Sequence, residues 1–269
     1  MKFIIRGFIT HKEGESITDC NDYYGYNIDN HRFAVSDGVS ISFFPFFWAK
    51  CLVDNFLKGN ILENNNFIQE GYQQWQSYVE EQVNAPNVKW FTKKKYKNKE
   101  FAGATFIGLQ FYEETKEWAC SYIGDSFLFF IPKNCSNDHS KIINYPKESF
   151  KEFDNHPNYL ASIPDNDRGN IEISEKHPIV EGTFYLLTDA LAEWFVYELR
   201  ENIMIAEITL KNIELQLQYK DVIDLRRRWS RFGKALKNDD TTLLMIEVSN
   251  DNKNEFCYEV KHFEPIDYD

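Results

Sequence analysis

Short β-prone runs follow one another along this chain without helices regularly placed between them. Residues 105–112, 118–123 and 127–131 are separated only by Glu113-Glu114-Thr115-Lys116 and Gly124-Asp125-Ser126, both good turn chemistry. Residues 23–28 and 32–36 flank Asp29-Asn30-His31 and predict a hairpin. Residues 1–10, 183–187, 241–248 and 257–262 read as further strands. The helical patterns cluster elsewhere. Residues 43–58 are apolar on most faces, as in a helix buried on more than one side. Residues 63–83 are more amphipathic, with Tyr72, Trp75, Tyr78 and Val79 at helical spacing on a face suited to packing on a sheet. ALAEWFVYELR and residues 203–231 complete the helical set. Elements in clusters, with no regular βα alternation, predict an α+β architecture built on mostly antiparallel sheets.

The 269 residues suffice for one large domain or two small ones, and no repeat or flexible linker divides them. One domain over 1–269 is therefore expected, with a basic, solvated loop at 85–100 and an irregular insert or flap around 132–178. The formal charge of -12 argues against general nucleic-acid binding and against docking on an anionic membrane, since both need surplus Lys and Arg. No apolar run approaches the roughly 20 residues that cross a bilayer, and the first residues do not read as a signal peptide. A cytoplasmic protein is the expectation. Five cysteines without C-x-x-C spacing suggest neither a disulfide framework nor a zinc site, and Cys51 and Cys120 read as core residues. The six histidines form no H-E-x-x-H. Arg226-Arg227-Arg228 reads as a solvated helix face.

The candidate chemistry lies in aspartates. Asp22 in CNDYYGY, Asp37 in FAVSDGVS, Asp125 in YIGDSFLF, Asp189 in YLLTDALAEW and Asp239 in KNDDTTLLMIEV each sit where a β-prone run meets a turn. Carboxylates at strand ends emerge at a sheet rim, so residues distant in sequence can converge. One such aspartate alone is ordinarily a turn or cap residue, and Asp189 before ALAEWF would make a good helix cap. Several together repel one another unless a cation joins them. All-oxygen donors suit Mg²⁺ or Mn²⁺. Gly38 after Asp37 would let a backbone carbonyl approach the ion without a side chain in the way.

The ordered series CNDYY, FAVSDGVS, GATFIGL, YIGDS, LLTDALAEW and DDTTLLMIEV, running from residue 20 to about 248, resembles the motif series of the protein phosphatase type 2C family. The resemblance implies a four-layer αββα sandwich, two central mostly antiparallel sheets flanked by helices. It also implies two metal ions at one end. By motif, Asp37 would bridge both ions, with the Gly38 carbonyl on the second. Asp189 and Asp239 would complete the first, and Asp22 would bind or orient the water shell of the second. Asp125 with Asp189 would resemble a further metal position found in some bacterial relatives. The implied activity is hydrolysis of phosphoserine and phosphothreonine in a phosphoprotein, with Asp37, Asp189 and Asp239 as the catalytic set. Three departures stand out. Ile17 occupies the place where many relatives carry a phosphate-clamping Arg, with Lys12 and His11 the nearest basic residues. Val39-Ser40-Ile41-Ser42 replaces a Gly-rich turn, and Thr188-Asp189-Ala190 replaces Ser-Asp-Gly. The alternative is a catalytically weak, phosphatase-like regulatory module that binds a kinase or its target.

Overall fold

The computed structural model describes residues 1–59, 66–135, 138–147, 157–228, 235–251 and 255–263. Strand β1 (Lys2–Thr10) comes first, and β2 (Asp22–Asn27) and β3 (Arg32–Asp37) form the expected hairpin. Asn27 shapes its turn by accepting from the backbone N–H groups of Asp29 and Asn30 through Oδ1. Helices α1 (Pro45–Lys58), α2 (Asn66–Asn84) and α3 (Trp90–Lys97) follow. Next come β4 (Gly103–Ala104), β5 (Phe106–Tyr112), β6 (Glu117–Ile123) and β7 (Phe127–Pro132). Four short strands occupy the region beyond: β8 (Ile143–Tyr145), β9 (Leu160–Ala161), β10 (Glu172–Ile173) and β11 (His177–Pro178). The chain then builds β12 (Gly182–Leu187), α4 (Asp189–Glu201), α5 (Ile203–Lys211), α6 (Gln216–Arg228), β13 (Thr241–Ser249) and β14 (Cys257–His262).

The strands make two large sheets. One has the order β14-β1-β13-β12-β7-β8; the other has the order β10-β6-β5-β3-β2, with β11 also on β6. The pairing of β1 with β14 is parallel. The central pairings of both sheets are antiparallel.

Side-chain alternation explains the layering, because successive residues of a strand point to opposite faces. Along β13, Leu244, Ile246 and Val248 pack between the sheets, while Leu243 and Met245 face helices. Strand β12 does the same with Phe184 and Leu186 inward and Tyr185 and Leu187 outward. On the second sheet, Ile107, Leu109 and Phe111 enter the shared core, whereas Phe106 packs among α1 and α2 side chains. Three hydrophobic layers result: α4–α6 on the first sheet, sheet on sheet, and the second sheet on α1 and α2. The architecture is thus an α+β sandwich with helices outside.

Local departures have local causes. Part of the expected basic loop at 85–100 is α3, in which no residue is buried. Its run of lysines favours helix without any apolar periodicity to announce it. The helix expected over 203–231 is two helices. Asn202 caps α5 by accepting from the Ile205 N–H, and Gln218 Oε1 accepts from the N–H groups of Glu214 and Leu215 ahead of the α6 body. Residues 63–65 and 229–231 of the expected helices, and 136–137 and 148–156 of the expected insert, lie outside the described residues. No described helix is long and apolar enough to cross a membrane.

Candidate metal centre

Both sheets deliver carboxylates to one end of the sandwich. Asp22 begins β2 and Asp37 ends β3, and the two are cross-strand partners. Asp125 lies in the β6–β7 turn, which links the second sheet to the first. Gly124 makes this turn at φ 83°, and a Cβ there would lie 2.4 Å from the Asn158 carbonyl oxygen. Asp189 opens α4 directly after β12, with Thr188 rather than Asp189 in the cap position. Asp239 precedes β13. Asp37, Gly38, Asp125, Asp189 and Asp239 line a pocket of about 250 Å³, together with Lys237. Asp22 lies outside that lining and is fully buried.

The electrostatics record the crowding. Burial, then the charges of Asp22, Asp189, Asp125 and Asp239, pushes the Asp37 carboxyl well above the usual carboxylate range. Burial and Asp189 raise Asp125 to about 7, and burial and Asp239 raise Asp189 to about 6. Asp22 is raised by burial and by Asp240, against two hydroxyls that pull it down. Those hydroxyls are Thr188 Oγ1 and Thr242 Oγ1, which donate to Asp22 Oδ2 at 2.9 and 2.8 Å. Thr188 Oγ1 in turn accepts from the Thr242 N–H at 3.0 Å. The α4 cap and β13 are thereby tied to the first residue of β2.

Further residues hold the site; the sequence reading names Lys12 as a basic residue near the missing Arg but does not single out Asp240, Lys237 or Arg227 for it. Asp240 accepts from the N–H groups of Lys12 and Asn21, so both of its oxygens serve as backbone ties. Lys12 Nζ lies 3.0 Å from Asp239 Oδ1 and donates to Ser40 Oγ at 3.1 Å. Lys237, on the pocket wall, pairs with Glu193 at 3.0 Å. The reading of Arg226-Arg227-Arg228 as a solvated face fails at Arg227. This residue is buried and donates from Nη2 to the carbonyls of His11 and Asp239, at 3.0 and 2.6 Å. A basic triplet in sequence carries no sign of which member turns inward; β1 and the β13 approach supply the acceptors only after folding. Gly38 is needed for space: a Cβ there would lie 2.8 Å from the Asn21 carbonyl oxygen and 2.9 Å from the Pro45 backbone. Ile17 stands on a short 3-10 turn and is 41% exposed.

This donor set fits a hard divalent cation. It is all oxygen, it is short of positive charge, and Asp22 Oδ1 is buried with no hydrogen-bond partner. Among the described residues, however, no three His, Cys, Asp or Glu side chains are drawn together closely enough to form a metal cluster. The carboxylates surround the pocket without closing on one point.

No protein-family model matches the chain, and no curated protein does. Solved structures do. A bacterial serine phosphatase superposes with TM-score 0.56 at 14% identity, over 92% of this chain and 98% of that one. Serine/threonine phosphatase Stp1 from Staphylococcus aureus gives 0.56 at 15%, over 91% and 95%. The serine/threonine phosphatase PstP/Ppp of Mycobacterium tuberculosis gives 0.55 at 14%, over 92% and 99%. At this identity the likeness is one of fold: the chain has the architecture of these Ser/Thr phosphatases along nearly all of its length.

Proposed function

We propose that the chain is a metal-dependent phosphoprotein phosphatase acting on phosphoserine and phosphothreonine. Its residues would hold two Mn²⁺ or Mg²⁺ ions through Asp37, the Gly38 carbonyl, Asp189 and Asp239, and a third through Asp125 and Asp189. The observation that carries this reading is the gathering of carboxylates from the ends of both sheets around one pocket, where they outnumber the lysines beside them, Lys12 and Lys237.

When bound, the ions would supply Lewis-acid polarisation of a phosphoryl oxygen and a water acidic enough to attack phosphorus in line. The chain's own part is to position and to balance charge. Asp37 presents its carboxylate from the end of β3, and the tight Gly38 backbone fixes its direction. Asp189 and Asp239 face the same pocket from the other sheet, and Arg227 anchors the Asp239 backbone. Asp22, held by two threonine hydroxyls on one oxygen, keeps its free oxygen to orient a water. The pocket carboxylates do not close on one point, so an ion held there would keep several of its waters, as hard ions prefer.

The test is release of product from p-nitrophenyl phosphate and from a phosphothreonine peptide, with Mn²⁺ and then with EDTA. The wild type should turn over only with Mn²⁺, and Asp37→Asn should lose roughly 100-fold or more. Metal-independent release, or an Asp37→Asn variant equal to wild type, sinks the reading. A second reading, a phosphatase-like regulatory module, draws support from the Lys12 ammonium seated on Asp239 and from exposed Ile17. Metal binding by calorimetry without turnover of either substrate would select it.

A further inference from the structure

Next to the aspartate pocket lies a larger cavity of about 680 Å³, whose wall includes Val39, Ser42, Lys99, Phe101, Tyr159 and Arg168. Val39 and Pro157 line both hollows, so the two are neighbours. Helix α3 runs up to the rim of the larger one, since Asn98, Lys99 and Glu100 directly follow the helix and line the cavity. Residues 85–99 carry six lysines and no acidic residue, in a chain of net charge -12. Lys95 is paired with Glu100 at 3.5 Å, which engages the acidic side chain of that wall. Lys93, Lys94, Lys97, Lys99 and Arg168 are not ion-paired among the described residues. On the same helix Trp90 is 73% exposed, and Phe91 and Tyr96 are exposed too.

We propose that this cavity and α3 form the docking surface for the polypeptide around the phosphorylated residue, and that they select an acidic segment. The inference rests on the phosphatase reading for the phosphoryl group, which would enter the aspartate pocket. Its own support is the charge pattern. An acidic molecule repels acidic partners at long range, so a local basic patch beside the pocket both attracts such a segment and orients it. The aromatic side chains supply the area that charge alone does not: exposed Trp and Tyr beside cations are the residue types that dominate binding energy in interfaces. A large cavity next to a small polar one also matches a substrate with a compact reacting group on an extended chain.

The experiment compares phosphothreonine peptides whose flanks are acidic, neutral or basic, using wild type and the Lys99→Glu/Arg168→Glu double variant with Mn²⁺. The acidic peptide should have at least a tenfold higher kcat/KM than the basic one on the wild type. The double variant should erase that preference through KM, while p-nitrophenyl phosphate, which has no flanking chain, reports that the pocket is intact. Equal kcat/KM for acidic and basic peptides, or an unchanged preference in the variant, overturns the proposal. If no substrate turns over, the phosphatase reading has failed and docking is read separately by fluorescence anisotropy of the labelled acidic peptide. Weaker binding by the variant, and at higher salt, then supports the surface; equal binding by both proteins overturns it.

Discussion

Asp125 and Asp189 show how single side chains set the behaviour of the whole site. Each carboxyl has its folded-state pKa raised, to about 7 and about 6, from an ordinary 3.8. A raised carboxyl value means that the native state holds its proton more tightly than the unfolded chain does. The stability this gives is fully present below about pH 4 and is lost as pH climbs through 6 to 7. The metal-free protein should therefore melt at a lower temperature at pH 8 than at pH 5, read by thermal melts in EDTA. Asp125→Asn removes one charge and keeps the shape. It should raise the metal-free melting temperature at pH 8 by a few degrees, at about 2–4 °C per kcal/mol for a chain of this size. At pH 5 it should change little. If the proposed site holds Mn²⁺, the ion should stabilise the wild type more than the variant at pH 8, since the variant lacks one of the proposed carboxylates.

Among the elements, α6 shows what the sequence could and could not tell. The helix itself was legible from its pattern, but the inward turn of Arg227 was not, because its acceptors belong to the exit of β1 and the approach to β13. Arg227→Ala should leave two half-buried carbonyls without their donor and cost about 1–3 kcal/mol in urea unfolding. It should also loosen Asp239, so Mn²⁺ affinity should fall together with stability. The five aspartates were legible for the opposite reason. A carboxylate at the junction of an apolar run and a turn declares its place at a sheet end, whichever strands later become neighbours. What holds them was hidden: the Thr188 and Thr242 hydroxyls meet Asp22 only across elements more than 160 residues apart in the chain. Helix α3 was missed because it packs no apolar face, and periodicity is the signal that such a reading depends on.

Over the whole molecule, the clustering of strands and helices without regular βα alternation was enough to foretell a layered α+β body, and side-chain alternation along the folded strands builds its three hydrophobic layers. The layer between the sheets is its largest aromatic assembly. Phe184 sits within ring-contact distance of Phe111, Trp118 and Phe130, with centroids 5.1, 5.0 and 4.5 Å away. Phe184→Ala should cost about 3–5 kcal/mol, measured as a shift of the denaturant midpoint at constant slope. That layer also fixes the distance between the two halves of the aspartate pocket, since Asp37 ends a strand of one sheet while Asp189 and Asp239 flank the ends of β12 and β13 in the other. The pocket is therefore a gauge of assembly. During synthesis the chain emerges with Asp37 long before Asp239, and domains complete their packing only when the last strands are available. A partly made or misregistered sandwich would have half a cradle and no grip on an ion. On the proposed reading, the ability to hold an ion would arrive in one step at the end of folding, when the two halves of the cradle first meet.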